Sequence, residues 1–166
     1  MSAFAAVLAA MLSIGLLCAR RIEIALGVCG LQGLCAAVAL GAAGSAFAPA
    51  VLILNAIAVP LVAWHVLTDA APSVPPPGTW LLAAVLLVVA AAAFGSYGNS
   101  VASGIAIVLL GLLLAAQGAA VIGLLSAQNG VVLVSAAIPN LPPSSALAVA
   151  IPLLPAICLG HAWLRR

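Results

Sequence analysis

From Ala70 through Leu164 no residue carries a formal charge, histidine protonation aside. Such a run cannot solvate a protein surface. Soluble domains hold roughly a quarter of their residues as Asp, Glu, Lys and Arg, and this 166-residue chain holds 4%. The mean hydropathy of +1.44 agrees. The sequence therefore reads as an all-α integral membrane protein, a single domain over residues 1–166. The same lack of charge excludes a soluble catalytic domain, a nucleic-acid surface and any extended basic patch.

About 20 apolar residues cross a bilayer as a helix, with shorter spans tolerated where the membrane is thin. On that measure the chain divides into spans over about 2–19, 22–43, 48–67, 79–94, 101–116, 119–137 and 146–164. The fifth and sixth come from one apolar run, too long for a single helix, divided here near Gln117-Gly118. The segment 68–78, TDAAPSVPPPG, is the one strongly polar connection, and its prolines force an extended loop. IPNLPPSS forms the last turn, with Ser144 or Ser145 as the N-cap, and Pro152 and Pro155 should kink the final span. The arginines of the first apolar run follow it rather than precede it, so that run is expected to be a true span and not a cleaved leader.

Basic residues favour the cytoplasmic side. Arg20-Arg21 follows the first span and Arg165-Arg166 the last, so both pairs share a side only if the span count is odd. That selects a polytopic bundle of about seven transmembrane helices, N-terminus outside and C-terminus cytoplasmic. The loop 68–78 is then cytoplasmic, and Trp64, Trp80, Trp163, His65 and His161 all fall near the same interface. Six spans would scatter these markers over both faces.

Polar side chains at membrane depth are functional candidates because each needs a partner that lipid cannot supply. Four amides qualify: Gln32, Asn55, Gln128 and Asn129, each near the middle of its span. Their plain role is to bridge helices by hydrogen bonds; their functional role would be to line a hydrated path or to anchor a neighbour's charge. Weaker candidates are Glu23, close enough to Arg20 and Arg21 for a local ion pair, and the interfacial His65 and His161. Gly27, Gly30 and Gly33 recur every three residues and suit close helix packing. The fourth span, WLLAAVLLVVAAAAF, has no polar side chain and reads as lipid-facing. Cys18, Cys29, Cys35 and Cys158 lack metal-ligand spacing and read as small buried hydrophobes. There is no nucleophile–base pair, phosphate loop or paired carboxylate, so neither catalysis by this chain alone nor a cofactor is expected.

Three stretches together resemble the E subunit of hydrogenase-4, a family related to the K subunit of complex I and the C subunit of Mrp antiporters. RRIEIALGVCGLQGLCAAVAL is similar to that family's second helix, with its central glutamine. LILNAIAVPLVAWHVL is similar to its third, where an intramembrane lysine comes shortly before a Leu/Val-Pro-Leu step. IGLLSAQNGVVLVSAAIPNLPPSSALAVAIPLLPAI is similar to its last two, where Met-Glu-Asn-Gly precedes a helix bearing carboxylates. The resemblance covers most of the chain in order and spacing.

The departures are systematic. Asn55 stands where the family's lysine is expected, and Gln128 where its glutamate is expected, while Asn129 and Gly130 remain. The final helix has lost both carboxylates, and the basic loop between the fifth and sixth helices has shrunk to AAQGAA. The resemblance thus implies an accessory membrane-arm subunit of a complex I-like redox assembly, packed beside antiporter-like multispan subunits in a bacterial inner membrane, with the proton-site charges neutralised. The alternatives are an independent small transporter or channel with the amides as its site, which the lack of an internal repeat disfavours, and an assembly or stabilising factor.

Cysteine-accessibility labelling checks the topology. A cysteine at Ser73 should label from the cytoplasmic side and one at Ser144 from the outside; labelling of both from one side would exclude seven spans.

Overall fold

The computed structural model describes residues 2–19, 21–67, 78–117 and 119–138. Of these, 91% are helical and none lies in a strand. Helix α1 is Ser2–Cys18 and α2 is Ile22–Ala42. Helix α3, Ala48–Leu67, is α-helical at both ends and π-helical over Leu52–Ala58. Helix α4 is Gly78–Phe94, extended by a 3₁₀ turn at Gly95–Tyr97; α5 is Asn99–Ala116 and α6 is Ala120–Ala137. Five of these helices are long and apolar enough to cross a membrane, and α1 is a shorter apolar helix. The expected seventh span, with Ser144, Ser145, Pro152, Pro155, Cys158, His161, Trp163, Arg165 and Arg166, lies outside the described residues. So do Arg20 and the loop 68–77.

The chain turns where the sequence supplies glycine. Gly44, at φ 78°, ends α2 in a left-handed conformation that costs glycine nothing. The Ser45 N–H reaches back to the Leu40 carbonyl and the Gly44 N–H to that of Gly41, the paired bonds of a Schellman cap. Gly98, at φ 110°, turns the chain between α4 and α5. Its position starts α5 at Asn99, two residues before the expected start.

Helices α1, α2, α6 and α5 pack in a closed ring, each against the next, with α1 also meeting α5. Helix α3 lies outside this ring against α2, and α4 lies outside it against α5. Most of α4 is accordingly uncovered, with Leu81 73% and Val88 68% exposed, as the lack of polar side chains from Trp80 onward anticipated. At its head Thr79 donates to Gln117 Oε1 at 2.5 Å, tying α4 to the end of α5.

The closest contact is between α5 and α6. Gly104 and Gly111 stand two turns apart on α5, and Gly123 and Gly130 two turns apart on α6. They oppose one another in antiparallel register: a Cβ built on Gly111 would lie 2.5 Å from the Gly123 carbonyl oxygen, and one on Gly104 2.9 Å from that of Gly130. Small residues let backbones approach in lipid, where no hydrophobic force drives helices together. A seven-residue repeat keeps one face turned to its partner along a left-handed crossing. On α2 the expectation for glycine is met only in part. Gly30 and Gly33 abut α3, whereas Gly27 has nothing within 4 Å.

Two apolar clusters fill the bundle. One gathers Ala5, Ala6, Ala9, Ala36, Leu40, Val51 and Leu133; the other gathers Leu16, Leu17, Leu26, Ala63, Leu110 and Leu125. Along α1, α2, α3 and α6 the buried polar side chains lie between the two.

Gly123→Ala should destabilise the protein strongly, since its Cβ would fall on the Gly111 carbonyl oxygen and the Ala115 backbone. Gly27→Ala should be neutral or mildly stabilising. Thermal unfolding of both variants in detergent, followed by helical circular dichroism, compares them directly.

Candidate functional site

The polar layer starts with Pro60. Proline has no N–H, so the carbonyls one turn before it lose a partner. The helix adapts by widening: the Val59 N–H bonds to the Leu54 carbonyl, an i to i−5 step that belongs to the π-helical turn. Such turns are uncommon and often mark functional positions. The widened backbone presses on α2, where a Cβ on Gly33 would come within 2.7 Å of the Asn55 carbonyl and one on Gly30 within 2.9 Å of the Ala56 oxygen. Any side chain at either glycine would push α3 away. The proline, the π turn and the two glycines together bring Asn55 into the bundle, where it is 4% exposed.

Opposite it, the three residues Gln128, Asn129 and Gly130 project about 100° apart around α6. Each therefore addresses a different direction. Gln128 Nε2 donates to Asn55 Oδ1 of α3 at 2.6 Å. Asn129 accepts from Asn55 Nδ2 at 3.2 Å and donates through its own Nδ2 to the Cys29 carbonyl of α2 at 3.1 Å. Gly130 meets α5 at Gly104. A glutamine, an asparagine and a glycine thus appear side by side because α6 faces three helices at one level.

These bonds form one chain with a fixed direction: Gln128 to Asn55, Asn55 to Asn129, Asn129 to the Cys29 carbonyl. Asn55 has little other contact with α6, for α3 packs chiefly on α2. The amides therefore carry the α3–α6 connection. All three are at least nine-tenths buried, and Gln128 Oε1 has no hydrogen-bond partner among the described residues.

Gln32 does not join this chain. It is fully buried and turns to α1 instead, donating to Ser13 Oγ at 2.7 Å and to the Ala9 carbonyl at 3.2 Å. The expectation of one path lined by four amides therefore resolves into a three-amide chain and a separate Gln32–Ser13 pair. Ser13 and Ser126, both fully buried, were not legible as site residues, because a lone hydroxyl in an apolar helix bonds equally well to its own backbone. Cys29, expected as a small hydrophobe, does more than fill space: its carbonyl takes Asn129, and its thiol donates to the Ile122 carbonyl at 3.8 Å.

The weaker candidates lie at the periphery. Glu23 is exposed in the first turn of α2, where a carboxylate complements the helix dipole. Its expected partner Arg20 is outside the described residues. His65 is exposed near the end of α3 beside Trp64. Among the described residues no three His, Cys, Asp or Glu side chains gather as a metal site. Neither a protein-family profile, nor a curated protein, nor a solved structure matches this chain.

A double-mutant cycle tests the chain of amides. Asn55→Leu and Gln128→Leu should each cost about 1–3 kcal/mol by stranding a buried partner. The double variant should cost clearly less than their sum, since it strands fewer groups. Reversible unfolding in mixed micelles measures all three.

Proposed function

We propose that this chain is an accessory membrane-arm subunit of a complex I-like, group 4 hydrogenase-type redox assembly in the inner membrane of a bacterium. On this reading it crosses the bilayer seven times with its N-terminus outside and its C-terminus cytoplasmic. It packs beside antiporter-like multispan subunits and is not itself a catalyst. Its part is structural: to fill and seal the arm at a level where related subunits carry charge.

One observation carries the reading. The resemblance to the hydrogenase-4 E subunit puts a lysine at position 55 and a glutamate at position 128, and the residues standing there are joined by a hydrogen bond of 2.6 Å. Nothing in the linear sequence requires two positions 73 residues apart to touch. Opposite charges this close at membrane depth depend on each other, because removing one leaves the other buried and uncompensated at a cost of about 3–5 kcal/mol. Losing both together avoids that cost, and an Asn–Gln pair keeps the shape and one hydrogen bond. A paired neutralisation would leave this arrangement, with the neighbouring Asn129 and Gly130 retained.

Neutral amides do not take up and release protons near neutral pH, so the ion-translocating work in such an assembly belongs to its other subunits. This chain contributes a packed polar layer that admits no unpaired charge.

Two measurements test the proposal. The tagged protein should co-isolate with large multispan membrane subunits; recovery alone as an active, monodisperse protein would favour an independent transporter. Within the complex, Asn55→Lys and Gln128→Glu should each reduce assembly at least tenfold, while the double variant should recover most of it. A double variant no better than the worse single one would defeat the paired-neutralisation argument.

A further inference from the structure

The two apolar clusters mark the two ends of the bundle. One joins the end of α1 (Leu17), the start of α2 (Leu26), the end of α3 (Ala63), the start of α4 (Ala83), the end of α5 (Leu114) and the start of α6 (Val121). The other joins the opposite ends of α1, α2, α3 and α6. The aromatic residues among those described fall at these same two ends and nowhere between. Trp64 and Trp80 lie at the first, near the end of α3 and at the start of α4. Phe4, Phe47, Phe94 and Tyr97 lie at the second.

Indole and phenol rings settle at the membrane–water boundary, with the apolar body inward and the polar group toward water. Trp64, Trp80 and Tyr97 are exposed, so they meet the surroundings and not the core. Between the two levels the exposed side chains of α3 and α4 are all apolar. Arg21 and Glu23, the charged residues among those described, stand at the tryptophan end.

The two levels are close together. Trp80 and Tyr97 are 17 positions apart along α4 and its terminal 3₁₀ turn, and Phe47 and Trp64 are 17 apart along α3. Either separation reaches about 25 Å at roughly 1.5 Å per residue. Helices α5 and α6 have 18 residues each, a length of about 27 Å. An ordinary hydrocarbon core is about 30 Å thick, and tilt shortens the reach further. The chain has no slack with which to meet it. Gly98 alone separates the 3₁₀ turn from α5, and Gln117 opens a three-residue connection from α5 to α6. The open N–H and carbonyl groups at these helix ends need partners that hydrocarbon lacks. The bilayer must therefore adapt to the protein.

We propose that the outer faces of α3 and α4 are a lipid-contact surface matched to a thin bilayer, with a hydrocarbon core of about 25 Å. The chain binds short-chain phospholipid in preference to long, and thins a thicker bilayer around itself. A protein neighbour would also cover apolar faces. It would give no reason for aromatic rings at one spacing on two helices that stand on different sides of the ring. A mismatch of a few ångströms costs each lipid little, but the whole lipid shell feels it. The inference rests on helix length and ring position, and holds whichever assembly the chain joins.

The test uses the full-length protein carrying Trp163→Phe, so that Trp64 and Trp80 are its remaining indoles. It is reconstituted in phosphatidylcholine vesicles whose monounsaturated chains run from about 14 to about 22 carbons. Brominated phosphatidylcholine should quench the fluorescence of both rings, and competition with unbrominated lipid of each length gives relative affinities. Affinity should peak at about 14 to 16 carbons and fall at least threefold by about 22. A peak at about 18 carbons or longer, or no dependence on length, overturns the proposal. So does fluorescence that brominated lipid leaves unquenched, which would put a protein surface over the rings. Should the variant fail to insert, the wild-type protein gives a second reading by X-ray lamellar diffraction. The phosphate-to-phosphate distance of long-chain bilayers should fall as the protein-to-lipid ratio rises; a constant or growing distance overturns the proposal.

Discussion

A buried primary amide must place two kinds of group, a donor and an acceptor, and in hydrocarbon it can find partners only in the protein. Three such amides lie together at the middle of this bundle, and their mutual satisfaction fixes which helices meet there. Each amide passes the requirement on to the next until a backbone carbonyl, that of Cys29, ends the series. The positions of α2, α3 and α6 at this level follow from that termination. The apolar clusters on either side contribute packing, but apolar side chains of conserved total volume can be exchanged with little loss of stability, whereas an amide chain has one arrangement.

The backbone is shaped to the same end. Pro60 removes a donor from α3, the π turn redistributes the freed carbonyls, and Gly30 and Gly33 let the widened segment settle against α2. Each of these features is unfavourable alone: a proline within a helix, a rare helical form, and glycine inside a span. Together they carry Asn55 inward far enough to reach Gln128. The α5–α6 glycine contact acts from the opposite side, holding α6 in the rotation that turns its two amides toward α2 and α3 and its Gly130 toward α5.

This economy bears on function. A layer built from neutral amides tolerates membrane depth without a counter-charge, at the cost of being unable to exchange protons. If related subunits carry a lysine and a glutamate at these two positions, a conversion of both leaves the helix geometry intact while ending any titration. On the proposed reading the chain would serve an assembly by occupying its place rather than by moving ions. Three buried polar atoms, Gln32 Oε1, Ser126 Oγ and Gln128 Oε1, have no hydrogen-bond partner among the described residues.

The sequence by itself determined the class of structure. A long uncharged run suits hydrocarbon and not water, and apolar lengths near 20 residues placed the described helices within one residue, except where Gly98 moved the start of α5 by two. The amides too were legible, since polar atoms in such runs stand out. Their partners were not, because a glutamine states a need for a hydrogen bond without stating where it will be met. Gln32 finds Ser13 on α1, while Gln128 finds Asn55 on α3. The two-turn glycine spacing on α5 and α6 is present in the sequence, yet becomes a signal only once those helices are known to lie antiparallel. Only the tertiary structure decided that α3 and α4, adjacent in sequence, stand on different sides of a four-helix ring. Only it decided the direction of the amide chain, because that direction is set by a backbone carbonyl, a group every residue has and no sequence distinguishes.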